Sequence, residues 1–335
     1  MKIAVIGPEF PDSFARNISS TLQQMGHQVF STAGTRHRHN QGRLQSAFWH
    51  NLPKLFPVLH ERSYARLYGQ ISEFRPALVL VTSDFFAPSI VARLKSAAQA
   101  PVVCWYIDPI ANLHGGRIFF CAYDAIFCKE PRLVQIMRDK LSLPANYLPE
   151  ACNPQWHRPT TPSPEQMKKY QCDIAAQGTF HPYRAKFFEA LLDYDVRIWG
   201  SSASVAASSP SKRFFQGEYI AENEKAAAFN SAKILVNNMN FTEVDGVNNT
   251  LFEAAGCGAF QICDASPTVS EFFQPDEEVI VFRNRKELLE KINHFLARDD
   301  DRLRIGMKAS ERAHKHHTYQ HRLSDLLSTI GLQSH

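Results

Sequence analysis

Two carboxylates, Asp245 and Glu253, stand eight positions apart in the stretch Thr242-Glu243-Val244-Asp245-Gly246-Val247-Asn248-Asn249-Thr250-Leu251-Phe252-Glu253. The first sits on a Gly/Asn-rich loop and the second inside the short helix that this loop opens. A loop rich in free backbone N–H groups that feeds a helix N-terminus is an anion site. A glutamate two turns further on reaches a hydroxylated group roughly 12 Å away at 1.5 Å per residue. That span suits a nucleoside diphosphate: phosphates at Gly246, Val247, Asn248 and Asn249, ribose hydroxyls at Glu253, a sugar near Asp245. Both asparagines equally suit helix capping. A structural salt bridge is the rival role for Glu253, which lies in an otherwise apolar helix and needs a partner if buried.

A second anion contact is offered by Gly178-Thr179-Phe180-His181-Pro182-Tyr183-Arg184. Gly178 lets a ligand approach the backbone, and Arg184, just inside the next helix, can grip a phosphate with two N–H groups. The plain alternative is a turn followed by a surface arginine. Asp108 follows an apolar run and precedes Pro109. It can take a proton from an acceptor hydroxyl, or simply start a turn. Asp84 and Asp12 hold similar positions. The histidines His314, His316, His317 and His321 read as a polar helix end rather than a metal set. With no D-x-D on a strand end and no clustered His/Cys ligands, neither a metal nor a cofactor is expected.

These residues are carried by short apolar runs that alternate with amphipathic helices. The runs include Ile3–Ile6, Ala77–Val81, Pro101–Tyr106 and Tyr123–Cys128, then Cys172–Gly178, Val196–Gly200, Ile234–Val236, Ala259–Cys263, which ends at Asp264, and Val279–Phe282. Such alternation means parallel sheets covered on both faces. Ligands sit outside the C-terminal strand ends of such sheets. The prolines at 149, 154, 159, 162 and 164 mark a break. The expected organisation is α/β: a Rossmann-like acceptor domain over 1–150, a linker over 151–164, a Rossmann-like donor domain over 165–315, and a C-terminal helix or tail over 316–335.

At 335 residues the chain suits two domains, and 44% hydrophobic with 21% charged content is ordinary for a globular protein. A net charge of +4 gives no general case for nucleic-acid binding. No apolar run is long enough to span a bilayer, and the N-terminus reads as a first strand rather than a signal peptide. The seven cysteines lack C-x-x-C spacing and read as buried reduced thiols in a cytoplasmic protein. Residues 36–66 are basic, with Phe48, Trp49, Leu52, Leu55, Phe56 and Leu59 interleaved. The segment admits two readings: a peripheral contact with the inner membrane face or an anionic acceptor, and a solvated loop plus a core helix.

Ordered strings in the second half resemble a known family. They are Cys172–Thr179, Ile198-Trp199-Gly200, Gly246–Asn249, Phe252–Phe260, Glu271–Phe273, Glu278–Ile280 and His317–Arg322. Together they are similar to the CgeB-type (spore maturation protein-like) branch of the group 1 glycosyltransferases. The likeness covers about 150–320 well and 1–150 loosely, through Trp105–Pro109. It implies a GT-B fold, two doubly wound Rossmann-like domains facing across a cleft. The implied activity is sugar transfer from a UDP-linked nucleotide-diphosphate donor to a hydroxyl of a glycan precursor, a protein or a small acceptor, with retention. It places Glu253 at the ribose and Asp245 at the first position of an E-x7-E pair, one methylene shorter than usual. A histidine common after the fourth strand is absent; Asp108 or His114 can supply a polar group there. A nucleotide-sugar epimerase and a non-catalytic nucleotide-sugar-binding protein are the alternatives. On this reading Glu253→Ala weakens donor binding without unfolding the chain.

Overall fold

Runs such as Leu78-Val79-Leu80-Val81 are apolar on both faces and can only be stable inside a sheet covered on both sides. The computed structural model, which describes residues 1–33, 64–113 and 116–332, builds two such sheets. The expected membrane or acceptor contact at 36–66 falls almost wholly outside the described residues, as does His114.

The first unit contains residues 1–148 and the chain from Leu323 onward. Its parallel strands are β1 (Lys2–Ile6), β2 (Gln28–Thr32), β3 (Leu78–Val81), β4 (Val102–Tyr106), β5 (Ala125–Cys128) and β6 (Ala145–Tyr147). Their spatial order is β2-β1-β3-β4-β5-β6, so the winding reverses between β1 and β3. Helices α1 (Phe14–Gln24), α2 (Ala65–Phe74), α3 (Pro88–Ala98) and α4 (Pro131–Leu141) connect the strands. Ile71, Ile90, Leu94, Val79, Val102 and Ile126 are among the fully buried members of its core. Each contributes about 1.5–3 kcal/mol by leaving water.

The second unit runs from Pro149 to Arg322. Its strands are β7 (Cys172–Gln177), β8 (Val196–Trp199), β9 (Ala232–Asn237), β10 (Gln261–Asp264) and β11 (Ile280–Phe282), all parallel, in the order β11-β10-β9-β7-β8. The winding reverses between β7 and β9. The helices are α5 (Pro164–Tyr170), α6 (Pro182–Phe188), α7 (Glu222–Ser231), α8 (Asn249–Gly256), α9 (Val269–Phe272), α10 (Arg285–Leu296) and α11 (Asp299–His316); α12 (Tyr319–Thr329) carries the chain into the first unit. Gly258 and Gly306 let α11 lie against the β10 approach: a Cβ on Gly306 would sit 2.3 Å from the Gly258 carbonyl oxygen.

Of the stretch 151–164, expected as a linker, residues 151–153 and 156–157 are buried in this unit, while 158–161 are exposed. Ala151, Cys152, Asn153 and His157 are all fully buried. Cys152 pairs in parallel with Thr318, its N–H donating to the His317 carbonyl and its own carbonyl accepting from Tyr319 N–H. Arg322 donates from Nε to the Glu150 carbonyl. Entry and exit of the unit are thus joined side by side. The histidines at the end of α11 help in this: His314 Nε2 lies 2.9 Å from the Gly256 carbonyl oxygen, and His317 Nε2 lies 2.9 Å from that of Phe272.

His317 is enclosed by Phe252, Phe272 and Phe273. Burial, aided by the Arg322 charge, pushes its pKa down to about 4. The folded state therefore keeps the ring neutral, while the unfolded chain protonates it near its ordinary value. The stability this ring contributes is complete above about pH 6.5 and is lost as pH falls toward 4, a span worth ~3 kcal/mol. Urea unfolding at pH 7.5 and 4.5 should show a larger acid loss for the wild type than for His317→Gln. Equal losses would assign the effect elsewhere.

Candidate active site

In a doubly wound sheet the crevice where the winding reverses lies beyond the C-terminal strand ends. In the second unit those ends are Gln177-Gly178 on β7, Asn237-Asn238 on β9 and Asp264 on β10. Gly178 has φ +106° and Gly200, after β8, has φ +139°. A Cβ on Gly200 would lie 2.2 Å from the Gly178 carbonyl oxygen, so the two strand ends approach as only glycine permits. Thr179 is exposed at the tip of this turn.

Arg184, from α6, is buried and turns back toward β7. Its two terminal nitrogens donate to the carbonyls of Gln177 (3.3 Å from each) and Thr179 (3.1 Å). The guanidinium lies 4.1 Å over the Phe180 ring. Its Nε, also buried, has no partner among the described residues. Burial lowers its pKa to about 10, opposed by the Asp264 charge, so it stays cationic at neutral pH. The residue expected to grip a phosphate therefore fixes the Gly178 turn with its outer nitrogens and keeps Nε unused.

Across β9, Asp264 Oδ2 accepts from Asn238 Nδ2 and from Met239 N–H, both at 2.7 Å. Burial pushes its pKa up to about 6, against the lowering by those two donors and by Arg184. Asn238 is buried and its Oδ1 has no hydrogen bond. Asn237 and Asn248 exchange reciprocal amide bonds of 3.0 and 2.8 Å. Asn248 also caps α8, accepting from Leu251 N–H at 3.2 Å. The first-turn N–H groups of Asn249 and Thr250 are those an α-helix leaves unbonded. Thr268 and Ser266, after β10, donate to the carbonyls of Asp245 (2.6 and 3.3 Å), and Ser266 also to that of Gly246 (3.1 Å). Gly246 and Val247 are buried, Asp245 half-buried. The loop is thus clamped from β9 on one side and from the β10 exit on the other.

Glu253 is only 1% exposed. Its Oε2 lies 2.9 Å from Lys225 Nζ, which is equally buried, and its Oε1 accepts from Asn249 Nδ2 at 2.9 Å. His157 Nε2 stands 4.0 Å from Oε1, while its Nδ1 accepts from Asn153 N–H at 3.0 Å, which leaves the ring proton on Nε2, toward the carboxylate. The residue expected at the ribose is closed into a buried ion pair, and the Asn249 side chain is occupied with it. That changes what Glu253→Ala should do, because truncation breaks a buried ion pair from one side.

Asp108, in the first unit, is exposed just beyond β4. Gly7, at the end of β1, packs so tightly on Thr82 that a Cβ would lie 1.8 Å from the hydroxyl oxygen. Asn237, Asn238, Asp264, Lys225 and His157 were not among the residues singled out from sequence for the site. Asn237 and Asp264 could have been found, since each is the polar residue directly after an apolar run and marks a strand end, with Asn238 next to the first. The last two carry no local signal.

Residues 184–328 match the family model described as Glycosyl transferase-like. That segment begins at Arg184 and contains α7 through α11, Asp245, Glu253 and Asp264. Among solved structures, the chain is similar to sucrose-phosphate synthase from Thermosynechococcus elongatus, at 14% identity and TM-score 0.65, covering 98% of this chain and 99% of that one. It is similar to Anabaena HepE in complex with UDP-glucose, at 11% identity and TM-score 0.64, with 98% and 100% covered. It is also similar to the trehalose-6-phosphate synthase OtsA, at 11% identity and TM-score 0.67, with 99% of each covered. These likenesses establish the fold, which is GT-B. No curated protein matches the chain.

Glu253→Ala is expected to cost about 3–5 kcal/mol of stability, since it removes one member of an ion pair whose groups are both 1% exposed. The double variant Glu253→Gln/Lys225→Met should recover much of that loss. Urea midpoints for the three proteins decide it; a neutral Glu253→Ala would mean the pair is not closed in solution.

Proposed function

We propose that this chain is a nucleotide-sugar glycosyltransferase whose second unit holds the donor. It moves a sugar, from a UDP-linked donor, to a hydroxyl on a cell-surface glycan precursor, a protein or a small acceptor. The observation that carries this reading is the cluster of unsatisfied buried polar atoms at the winding reversal. Arg184 Nε and Asn238 Oδ1 lack partners beside a capped helix N-terminus. Buried polar groups are almost always paired, so those left open at a strand-end crevice mark where a polar ligand completes them. The Glycosyl transferase-like match over 184–328 supports the donor class.

The diphosphate lies along Gly178, Thr179 and Gly246–Asn249, where first-turn N–H groups and the Arg184 charge stabilise the leaving group. Asp245 contacts the transferred sugar. The Lys225–Glu253 pair holds α8 so that its N-terminus faces the ligand, and a ribose hydroxyl reaches Glu253 only by displacing the Asn249 amide. Asp108, exposed on the first unit, serves as base toward the acceptor hydroxyl. Retention of configuration is part of this reading, supported by the strings that resemble the CgeB-type branch. The stabilising groups belong to the protein, so the reaction proceeds without a metal ion. Seven free, buried cysteines accord with a reducing compartment, and no described helix is long and apolar enough to cross a membrane.

Incubation of the full chain with UDP-, GDP- and ADP-sugars, with products read by mass spectrometry, tests this. Donor hydrolysis or transfer is expected. An isomerised sugar would make the protein an epimerase, and binding without turnover a binding protein. Turnover should persist in EDTA; loss restored by magnesium or manganese would assign a cation to the site. Asp108→Asn should lower kcat by about 10²–10⁴, as loss of a general base does. An unchanged kcat would remove Asp108 from the chemistry.

A further inference from the structure

Asp264 is unlike the other acidic residues of the second unit. It closes β10, next to Asn238 at the end of β9, and its Oδ2 is immobilised by two donors at 2.7 Å. Its other oxygen, Oδ1, makes no hydrogen bond among the described residues. Arg184 stands near enough to interact by charge, yet spends its outer nitrogens on backbone carbonyls instead of the carboxylate. Two neighbouring buried atoms, Asn238 Oδ1 and Arg184 Nε, are also without partners. A negative group therefore lines the crevice in which the proposed function seats a ligand carrying about two negative charges. Left ionised, it would repel that ligand.

We propose that Asp264 takes up a proton from solvent when a nucleotide sugar binds, which removes its charge from the crevice and turns Oδ1 into an O–H donor to the ligand's diphosphate. The inference rests on the donor site proposed above. The balance is simple: one proton leaves bulk buffer and forms one O–H bond on Oδ1, and no other bond changes. Oδ2 keeps both of its donors throughout, so the loop that starts at Met239 stays in place.

The surroundings favour this step. Burial already moves the Asp264 carboxyl up to about 6. A like charge disfavours the ionised form further, so an arriving diphosphate makes the acid mostly protonated at neutral pH. The titratable neighbours are few. Arg184, with Tyr183 beside it, faces Asp264 from α6 and keeps it ionised in the empty site. Cys263 on its own strand is a buried thiol pushed well up, hence neutral, and Lys291 of α10 bonds the Val281 carbonyl. β9 presents Asn238 and Met239, and β11 presents Phe282, its register partner, all uncharged.

Calorimetry of UDP-glucose binding to the full chain, in two buffers of different protonation enthalpy, measures the uptake. UDP-glucose suits the test because its own phosphates do not titrate near neutrality. Uptake of about 0.5–0.9 proton per ligand is expected at pH 7, falling toward ~0.1 at pH 5, where Asp264 is already protonated. Affinity should rise up to about tenfold between pH 8 and 6. Asp264→Asn should bind with no uptake and a flat pH profile. Carboxyl-carbon NMR on the wild type should show Asp264 titrating near 6 when free and above 7 with UDP-glucose; this readout holds even if the variant folds poorly. Binding without buffer dependence, or unchanged uptake in Asp264→Asn, overturns this inference and leaves the donor site standing. Failure of the wild type to bind any nucleotide sugar overturns both.

Discussion

The buried pair between Lys225 and Glu253 is the constraint on which the second unit's architecture turns. Two charges, each 1% exposed, meet at 2.9 Å, and Asn249 and His157 address the remaining carboxylate oxygen. Neither helix could drift without pulling this buried pair apart in a low-dielectric interior. The pair therefore fixes α8 against α7, and His157 ties both to the segment that enters the unit. The N-terminus of α8, and the loop clamped to it, inherit that rigidity.

The same economy of partners separates scaffold from site. Around α8 nearly every polar side chain is satisfied: Asn248 by Asn237 and the helix cap, Asn249 by Glu253, the Asp245 carbonyl by Ser266 and Thr268. Buried side-chain atoms without a hydrogen bond among the described residues include those of Arg184, Asn238 and Gln177 at the C-terminal strand ends, and of Gln261 at the start of β10. Beyond the C-terminal strand ends, Tyr183 and Phe241 expose their rings and meet edge-on at 5.4 Å, one after β7 and the other after β9. Both are exposed apolar rings that follow strand ends at which buried polar atoms make no hydrogen bond among the described residues.

Much of this was legible in the sequence, for local reasons. Short apolar runs between amphipathic helices gave both parallel sheets, and the Gly/Asn loop before an apolar helix gave the α8 cap. β6 was not read because three residues between Pro144 and Leu148 are too few to show a pattern. α5 was obscured by the prolines around it, although Ser163-Pro164-Glu165-Gln166 carries a capping box that the structure forms in full. The same prolines made 151–164 look like a linker, whereas its apolar and polar side chains are buried at 151–153 and 156–157. The partner of Glu253 could not be read at all: Lys225 is 28 positions away and meets it only through the packing of two helices. Asp264 was visible as the end of a strand, but its neighbours across β9 were not.

The zipped entry and exit of the second unit, Cys152 beside Thr318 and Arg322 on the Glu150 carbonyl, bear on how the polypeptide matures. The second unit is one unbroken stretch of chain, whereas the first is assembled from two stretches on either side of it. During synthesis the inserted unit can close as soon as Arg322 has emerged. The earlier-made unit must wait for the helix that follows before its own packing is complete. Translation order and completion order are thus reversed, and a stalled ribosome would present a finished second unit attached to an unfinished first one.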